Sequence, residues 1–175
     1  MQRFRRRIAA GARKSTDESS GGIAPPIRIG TAELDDLDAL CSVEKECFAA
    51  EAFSKELVAS LLQDRSAVSL LAKVTDEAIG FIIAQTYTKK GCRIVHVLTV
   101  DVAPKARRMG VGRRLLEELE RRAREKGVVA SCLEVDATNS AARKLYRSLG
   151  YAETGFVRGY YRSGGDCITM VKTLL

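Results

Sequence analysis

The sequence predicts an α/β domain in which helices pack on one mixed sheet. Residues 34–47 and 110–126 repeat apolar side chains at helical spacing. Between them the runs 68–74, 78–87 and 93–102 are rich in β-branched residues, separated by the turn-like Asp76-Glu77 and Lys89-Lys90-Gly91. The third run passes straight into a glycine-rich loop and then a helix, the order expected of an α/β unit. A chain of 175 residues suits one such domain.

Residues 1–26 lack apolar periodicity and end in Gly21-Gly22 and Pro25-Pro26, which predicts a mobile basic extension ahead of a domain over residues 27–175. Their Arg and Ser content suits a transit peptide, but Asp17 and Glu18 speak against one, and a secretory signal would need an apolar stretch. A short strand (27–29) leads to the first helix, with Leu34, Leu37, Leu40, Cys41 and Glu44 on one face. Ser54 caps a second helix carrying Leu57, Val58, Leu61 and Leu62 inward. After the three strands, the helix at 110–126 bears a stripe of Val111, Leu115, Leu119 and Ala123, and Gly127 ends it. Glu117–Arg121 and Glu118–Arg122 have the spacing of ion pairs on its wet face. A strand at 130–135, a helix opened by Asn139 and closed at Gly150, and strands near 151–157 and 167–174 complete the chain.

The net charge of +7 favours polyanions, yet Arg3, Arg5, Arg6, Arg7, Arg13 and Lys14 gather in the first fourteen residues. Only Phe4 is interleaved with them, so no specific nucleic-acid partner is expected, while association with the ribosome surface stays open. No apolar run approaches the roughly 18 residues a membrane helix needs, and no membrane partner is expected. Five cysteines without a C-x-x-C pair suit a reducing cytoplasm, as small core residues. With them and one histidine, no metal site is expected.

Two constellations carry the chemistry. In the first, Val102-Ala103-Pro104-Lys105-Ala106-Arg107-Arg108-Met109-Gly110-Val111-Gly112 joins a strand to a helix, where backbone N–H groups converge on an anion. Gly110 and Gly112 would let the backbone approach a phosphate, and Arg107 and Arg108 add charge. Leu115 breaks a dinucleotide fingerprint, and no Gly-Lys-Ser/Thr follows. The second constellation runs from Leu133 to Tyr151: a carboxylate, Glu134, in a strand, then a helix opened by Asn139 that carries Tyr146 two turns on.

Arg107-x-x-Gly110-x-Gly112 together with Asn139-x-x-Ala142-x-x-Leu145-Tyr146-x-x-x-Gly150-Tyr151 resembles the GCN5-related N-acetyltransferase superfamily. The run Gly159-Tyr160-Tyr161-Arg162-Ser163-Gly164-Gly165-Asp166-Cys167 is similar to its protein N-terminal branch, which includes ribosomal-protein alanine and archaeal N-terminal acetyltransferases. The resemblance implies a single-domain fold with a mixed, mostly antiparallel sheet, and acetyl-coenzyme A as cofactor. It implies that Val100, Asp101 and Val102 bind the pantetheine arm through their backbone, and that Arg107, Arg108, Met109, Gly110, Val111, Gly112 and Arg113 cradle the pyrophosphate. Asn139 would touch the cofactor and Tyr146 would stand beside its sulfur. Arg107, Asp136 and Cys167 depart from the Gln, Arg and Ala frequent at those positions.

By the same resemblance Glu134 takes the proton of the attacking amine, directly or through water. Burial among Leu133 and Val135 would suit it to that work at neutral pH; a solvent-facing strand glutamate is the alternative. Tyr146 would protonate the leaving thiolate, or else pack on Leu149 as a core aromatic. His96, alternating with Leu98 and Val100, is either a proton relay, as in the archaeal enzymes, or a satisfied core histidine. Phe48, Glu51 and Phe53, with Tyr160 and Tyr161, would line the substrate slot. The function expected is acetylation of protein or peptide N-termini. Acetylation of lysine or small amines, and a noncatalytic module that senses acetyl-coenzyme A or docks on ribosomes, are the alternatives.

Overall fold

In the computed structural model, residues 26–48, 52–161 and 163–175 are described. Among them the elements run β1 (Ile27–Thr31), α1 (Leu37–Phe48), α2 (Lys55–Gln63), β2 (Ala67–Val74), β3 (Glu77–Lys89), β4 (Cys92–Val102), α3 (Val111–Glu125), β5 (Ala130–Asp136), α4 (Ser140–Ser148), β6 (Ala152–Val157) and β7 (Cys167–Thr173). The extension expected over residues 1–26, except its last residue, and the candidate Glu51 lie outside the described residues.

Local chemistry sets most of the boundaries. Ser54 accepts the Leu57 N–H at 3.2 Å to open α2, and Asn139 Oδ1 accepts the Ala142 N–H at 3.0 Å to open α4. The first helix starts later than its apolar spacing suggests. Glu33 and Asp36 cap each other around a 3-10 turn at Leu34–Asp36, which leaves Leu34 46% exposed rather than on the inward face. Past α3, Gly127 takes φ +70°, as a helix-ending glycine does. On the wet face of α3 the Glu118–Arg122 pair forms at 2.7 Å, but Arg121 turns to Glu118 and Glu125, and Glu117 faces Arg113. The pairing expected between Glu117 and Arg121 is thereby replaced.

The strands lie in the order β1-β2-β3-β4-β5-β7-β6, and every neighbouring pair is antiparallel except β4 with β5. That parallel contact is short, running from Ile94–Ala130 to Val97–Leu133. Beyond it β4 continues to Val102 paired with β3, and β5 to Asp136 paired with β7. The two strands therefore part company in mid-sheet.

A bulge in β4 sits at the point of parting, since Ala84 faces Val97 and Ile83 faces Thr99, leaving Leu98 as the extra residue. Side-chain alternation shifts there. Val95, Val97, Val100 and Val102 all enter the core beneath α3 and α4, with Leu115, Leu119, Leu133 and Met170. Leu98 joins the second core, where α1 and α2 cover the other face through Leu40, Val58, Phe81 and Ile83. Of the cysteines, Cys41 and Cys167 are buried, Cys47 and Cys132 half-buried, and Cys92 is exposed, so core burial holds for only part of the set.

Candidate active site

His96 and Glu134 face each other across the seam where β4 and β5 separate. Leu133 and Val135 point into the α3 core, so Glu134 points to the opposite face, and His96 does the same beside Val95 and Val97. The His96 Nε2 lies 2.6 Å from Glu134 Oε2, and their side chains are 23% and 24% exposed. An ionised carboxylate only accepts, so the imidazole N–H donates. Glu134 is thus less enclosed than its apolar neighbours suggest. The alternation of His96 with Leu98 and Val100 also fails, because the bulge turns Val100 to the other side. His96 is bonded to a carboxylate at an open seam rather than satisfied within the core.

Cys132 shares that face, two residues before Glu134, with its Sγ 3.6 Å from the Tyr87 hydroxyl. Thr99 and Asp101 are buried together on β4, the threonine hydroxyl donating to Asp101 Oδ1 at 2.8 Å. Neither pair was legible from motif spacing. Only the period of two around Glu134 and Asp101 marks them as sharing a face.

Tyr146, on α4, is 1% exposed and meets the Tyr151 ring edge-on at 5.8 Å. Burial above all, then Tyr151, Asp101 and Tyr161, holds its phenol protonated well beyond the ordinary tyrosine range. Tyr160 and Tyr161 pack edge to face at 5.1 Å and enclose Cys167. The Tyr161 hydroxyl is buried with no hydrogen-bond partner among the described residues, and its titratable neighbours are Cys167, Asp136, Tyr160 and Glu134. Leaving such a group unmet costs about 1–3 kcal/mol, which marks it as a donor available to a ligand. Phe48 ends α1, half-buried, and Phe53 packs on the α1–α2 core with its N–H donated to Glu44 Oε1 at 2.8 Å.

On the α3 side, Arg108 and Gly110 take φ +68° and +78°, and α3 starts at Val111 with no side chain capping it and no acidic residue in its first turn. The first helical bond runs from the Arg114 N–H to the Gly110 carbonyl at 3.0 Å, so the N–H groups of Val111, Gly112 and Arg113 precede the ladder. This is an anion cradle. The two glycines do different work in it. Gly110 supplies the left-handed conformation, whereas a Cβ on Gly112 would meet Leu145 at 3.5 Å and Val102 at 3.7 Å. Gly112 lies where α3 packs on β4 and α4, and a side chain there would point toward Leu145 and Val102. Arg107 reaches the Val102 carbonyl at 3.4 Å, Met109 is 50% exposed, and Arg113 donates to Ser148 Oγ at 2.5 Å. Val100 and Val102 place their side chains in the core, beyond the last β4–β5 pair at Val97–Leu133, and the Val102 carbonyl also accepts from Cys47 Sγ at 3.4 Å.

A seven-stranded sheet opened between its parallel strands, with an uncapped helix on one face and a histidine–carboxylate pair on the other, has the layout of an N-acetyltransferase. The chain belongs to the Acetyltransferase (GNAT) family, whose model matches residues 37–151. It is 29% identical over 160 residues to the N-alpha-acetyltransferase of Sulfurisphaera tokodaii, covering 84% of this chain and 93% of that one. The crystal structure of the ribosomal-protein-S18-alanine N-acetyltransferase from Escherichia coli superposes with TM-score 0.77 at 30% identity, over 85% of this chain and 94% of that chain. Arabidopsis thaliana NAA60 in complex with acetyl-CoA shares the fold at 21% identity and TM-score 0.76, over 85% and 98% of the two chains. The family uses acetyl-coenzyme A. The residues here fit that ligand: the N–H groups ahead of the α3 ladder, with the arginines beside them, would suit a pyrophosphate.

Proposed function

We propose that this enzyme acetylates the N-terminal α-amine of proteins and peptides, and the observation that carries the reading is the His96–Glu134 pair at the open seam. Acetyl-coenzyme A supplies an acetyl group activated as a thioester. Gly110, Val111, Gly112 and Arg113 offer their backbone N–H groups to its pyrophosphate, with Arg107, Arg108 and Met109 around them, and Asn139 stands at the start of α4. Val100, Asp101 and Val102, on β4 beyond its pairing with β5, would run beside its arm.

Glu134 accepts the amine proton, and His96 orients the carboxylate and links it to solvent. Tyr146, kept protonated by burial, supplies a proton to the departing sulfur. Phe48, Phe53, Tyr160 and Tyr161 line the approach from the α1 side, where the unpaired Tyr161 hydroxyl is free for a peptide backbone. An α-amine, with a pKa of about 7.7–8.0, is neutral about 10% of the time at pH 7, against far less than 1% for lysine near 10.4, so one carboxylate suffices to deprotonate it. The names of the relatives support this substrate class, and ribosomal N-termini fall within it. A cytoplasmic site of action is supported by the five free thiols. Among the described residues no helix is long and apolar enough to cross a membrane.

Glu134→Gln keeps the size and removes the base, so single-turnover acetylation of an N-terminal peptide should slow about 10²–10⁴-fold at pH 7 with acetyl-coenzyme A affinity unchanged. The deficit should shrink as pH rises, because more of the amine is then already neutral. A variant as fast as the parent would refute the assignment.

A further inference from the structure

Behind Tyr146 the core beneath α3 holds a polar chain that the catalytic reading does not use. Ser131 Oγ, fully buried on β5, lies 2.7 Å from the Tyr151 hydroxyl. Glu120, only 2% exposed on α3, is a charged neighbour of the same phenol. Lys172 of β7 bonds Glu120 Oε2 at 2.5 Å, stands 5.8 Å above the Tyr151 ring, and is the cross-strand partner of Ser131. A buried ion pair of this kind is poor as a source of stability, because desolvation offsets the attraction, and well-packed apolar side chains would serve at least as well. What the chain does fix is the Tyr151 ring.

Tyr151 is tied to Tyr146 twice, once through the ring and once through the backbone. Its edge meets the Tyr146 ring at 5.8 Å and 63°, and the Tyr151 N–H donates to the Tyr146 carbonyl at 3.0 Å. We propose that Tyr151 is a positioning residue for the Tyr146 phenol, its own hydroxyl held by Ser131 and its ring faced by the Glu120-paired Lys172 so that the Tyr146 ring is held in one orientation. The proposal rests on Tyr146 acting as the acid of the reaction. Tyr151 touches neither the acetyl donor nor the amine, and its influence passes through the Tyr146 ring alone.

The test compares the parent enzyme, Tyr146→Phe, Tyr151→Phe and the double variant by single-turnover acetylation of an N-terminal peptide. Tyr151→Phe keeps the ring and removes the pinned hydroxyl. It should slow the reaction about 3–10-fold in the parent and less than about twofold in the Tyr146→Phe background, with the KM for both substrates unmoved. A second reading, without acetyl-coenzyme A, is the Tyr146 resonance of ring-labelled protein, identified by its loss in Tyr146→Phe. It should be narrow in the parent and exchange-broadened in Tyr151→Phe. Ser131→Ala, a small change that leaves the fold intact, should give both effects in weaker form. Equal slowing in both backgrounds, or an unchanged resonance, overturns the proposal. If Tyr146→Phe slows the reaction and Tyr151→Phe does not, the positioning role falls and the acid remains. If Tyr146→Phe itself has no effect, the acid reading falls and takes the positioning role with it.

Discussion

The proposed division of proton transfers between Tyr146 and Glu134 follows from the opposite surroundings the fold gives them. The tyrosine is sealed between α4 and the sheet, where burial keeps its proton in place until a basic thiolate is adjacent. The glutamate, a quarter exposed, stays open to an incoming amine. Tyr146→Phe should lower turnover about 10–10²-fold without changing acetyl-coenzyme A affinity, measured by calorimetry beside stopped-flow thiol release. An equal loss of affinity would show that the ring packs rather than reacts. His96→Ala removes the partner of Glu134 but not the base, so its cost in turnover should be smaller than that of Glu134→Gln. Motif spacing exposes Glu134 and Tyr146 in the sequence, since each has a set distance from Asn139. It leaves His96 ambiguous, because nothing local shows that a residue 38 positions on will lie 2.6 Å away.

Within the elements, α3 carries most of the legible signal. Its stripe of Val111, Leu115, Leu119 and Ala123 is buried as periodicity predicts, joined by Leu116 and Glu120. The two glycines at its start look equivalent in sequence and are not. Gly110→Ala should cost about 1 kcal/mol through its φ of +78°, with nothing near the added methyl. Gly112→Val should cost about 1–3 kcal/mol by overpacking against Leu145 and Val102, read as a lowered melting temperature before any change in ligand affinity. On the wet face, hydrogen bonds from Arg121 and then Arg122 hold the Glu118 carboxyl down at about 2, against an ordinary 4.5. A carboxyl depressed on folding contributes stability above its unfolded pKa and loses it as pH falls from 4.5 towards 2. Between about pH 5 and pH 3, Glu118→Gln should therefore lose less melting temperature than the parent. An equal loss would show that solvent has screened the pair.

At the scale of the molecule, function depends on one irregularity: β4 and β5 run parallel for four residues and then separate. The alternating pattern of residues 93–102 predicts the strand but not the extra residue at Leu98, because a bulge is set by pairing with β3 and leaves no mark on a single strand's composition. The opening puts the phosphate cradle on the α3 face and the His96–Glu134 pair on the α1 face. In the proposed reaction, donor and amine meet through the sheet from opposite sides, and the amine's own chemistry favours the α-amine. A peptide bearing both a free N-terminus and an internal lysine, incubated with enzyme and acetyl-coenzyme A and fragmented by mass spectrometry, asks that question directly. The acetyl group should be found on the α-amine, at a ratio over lysine that falls as pH rises and the lysine loses its proton. Acetyl found on the lysine alone, with the N-terminus untouched, would contradict the account.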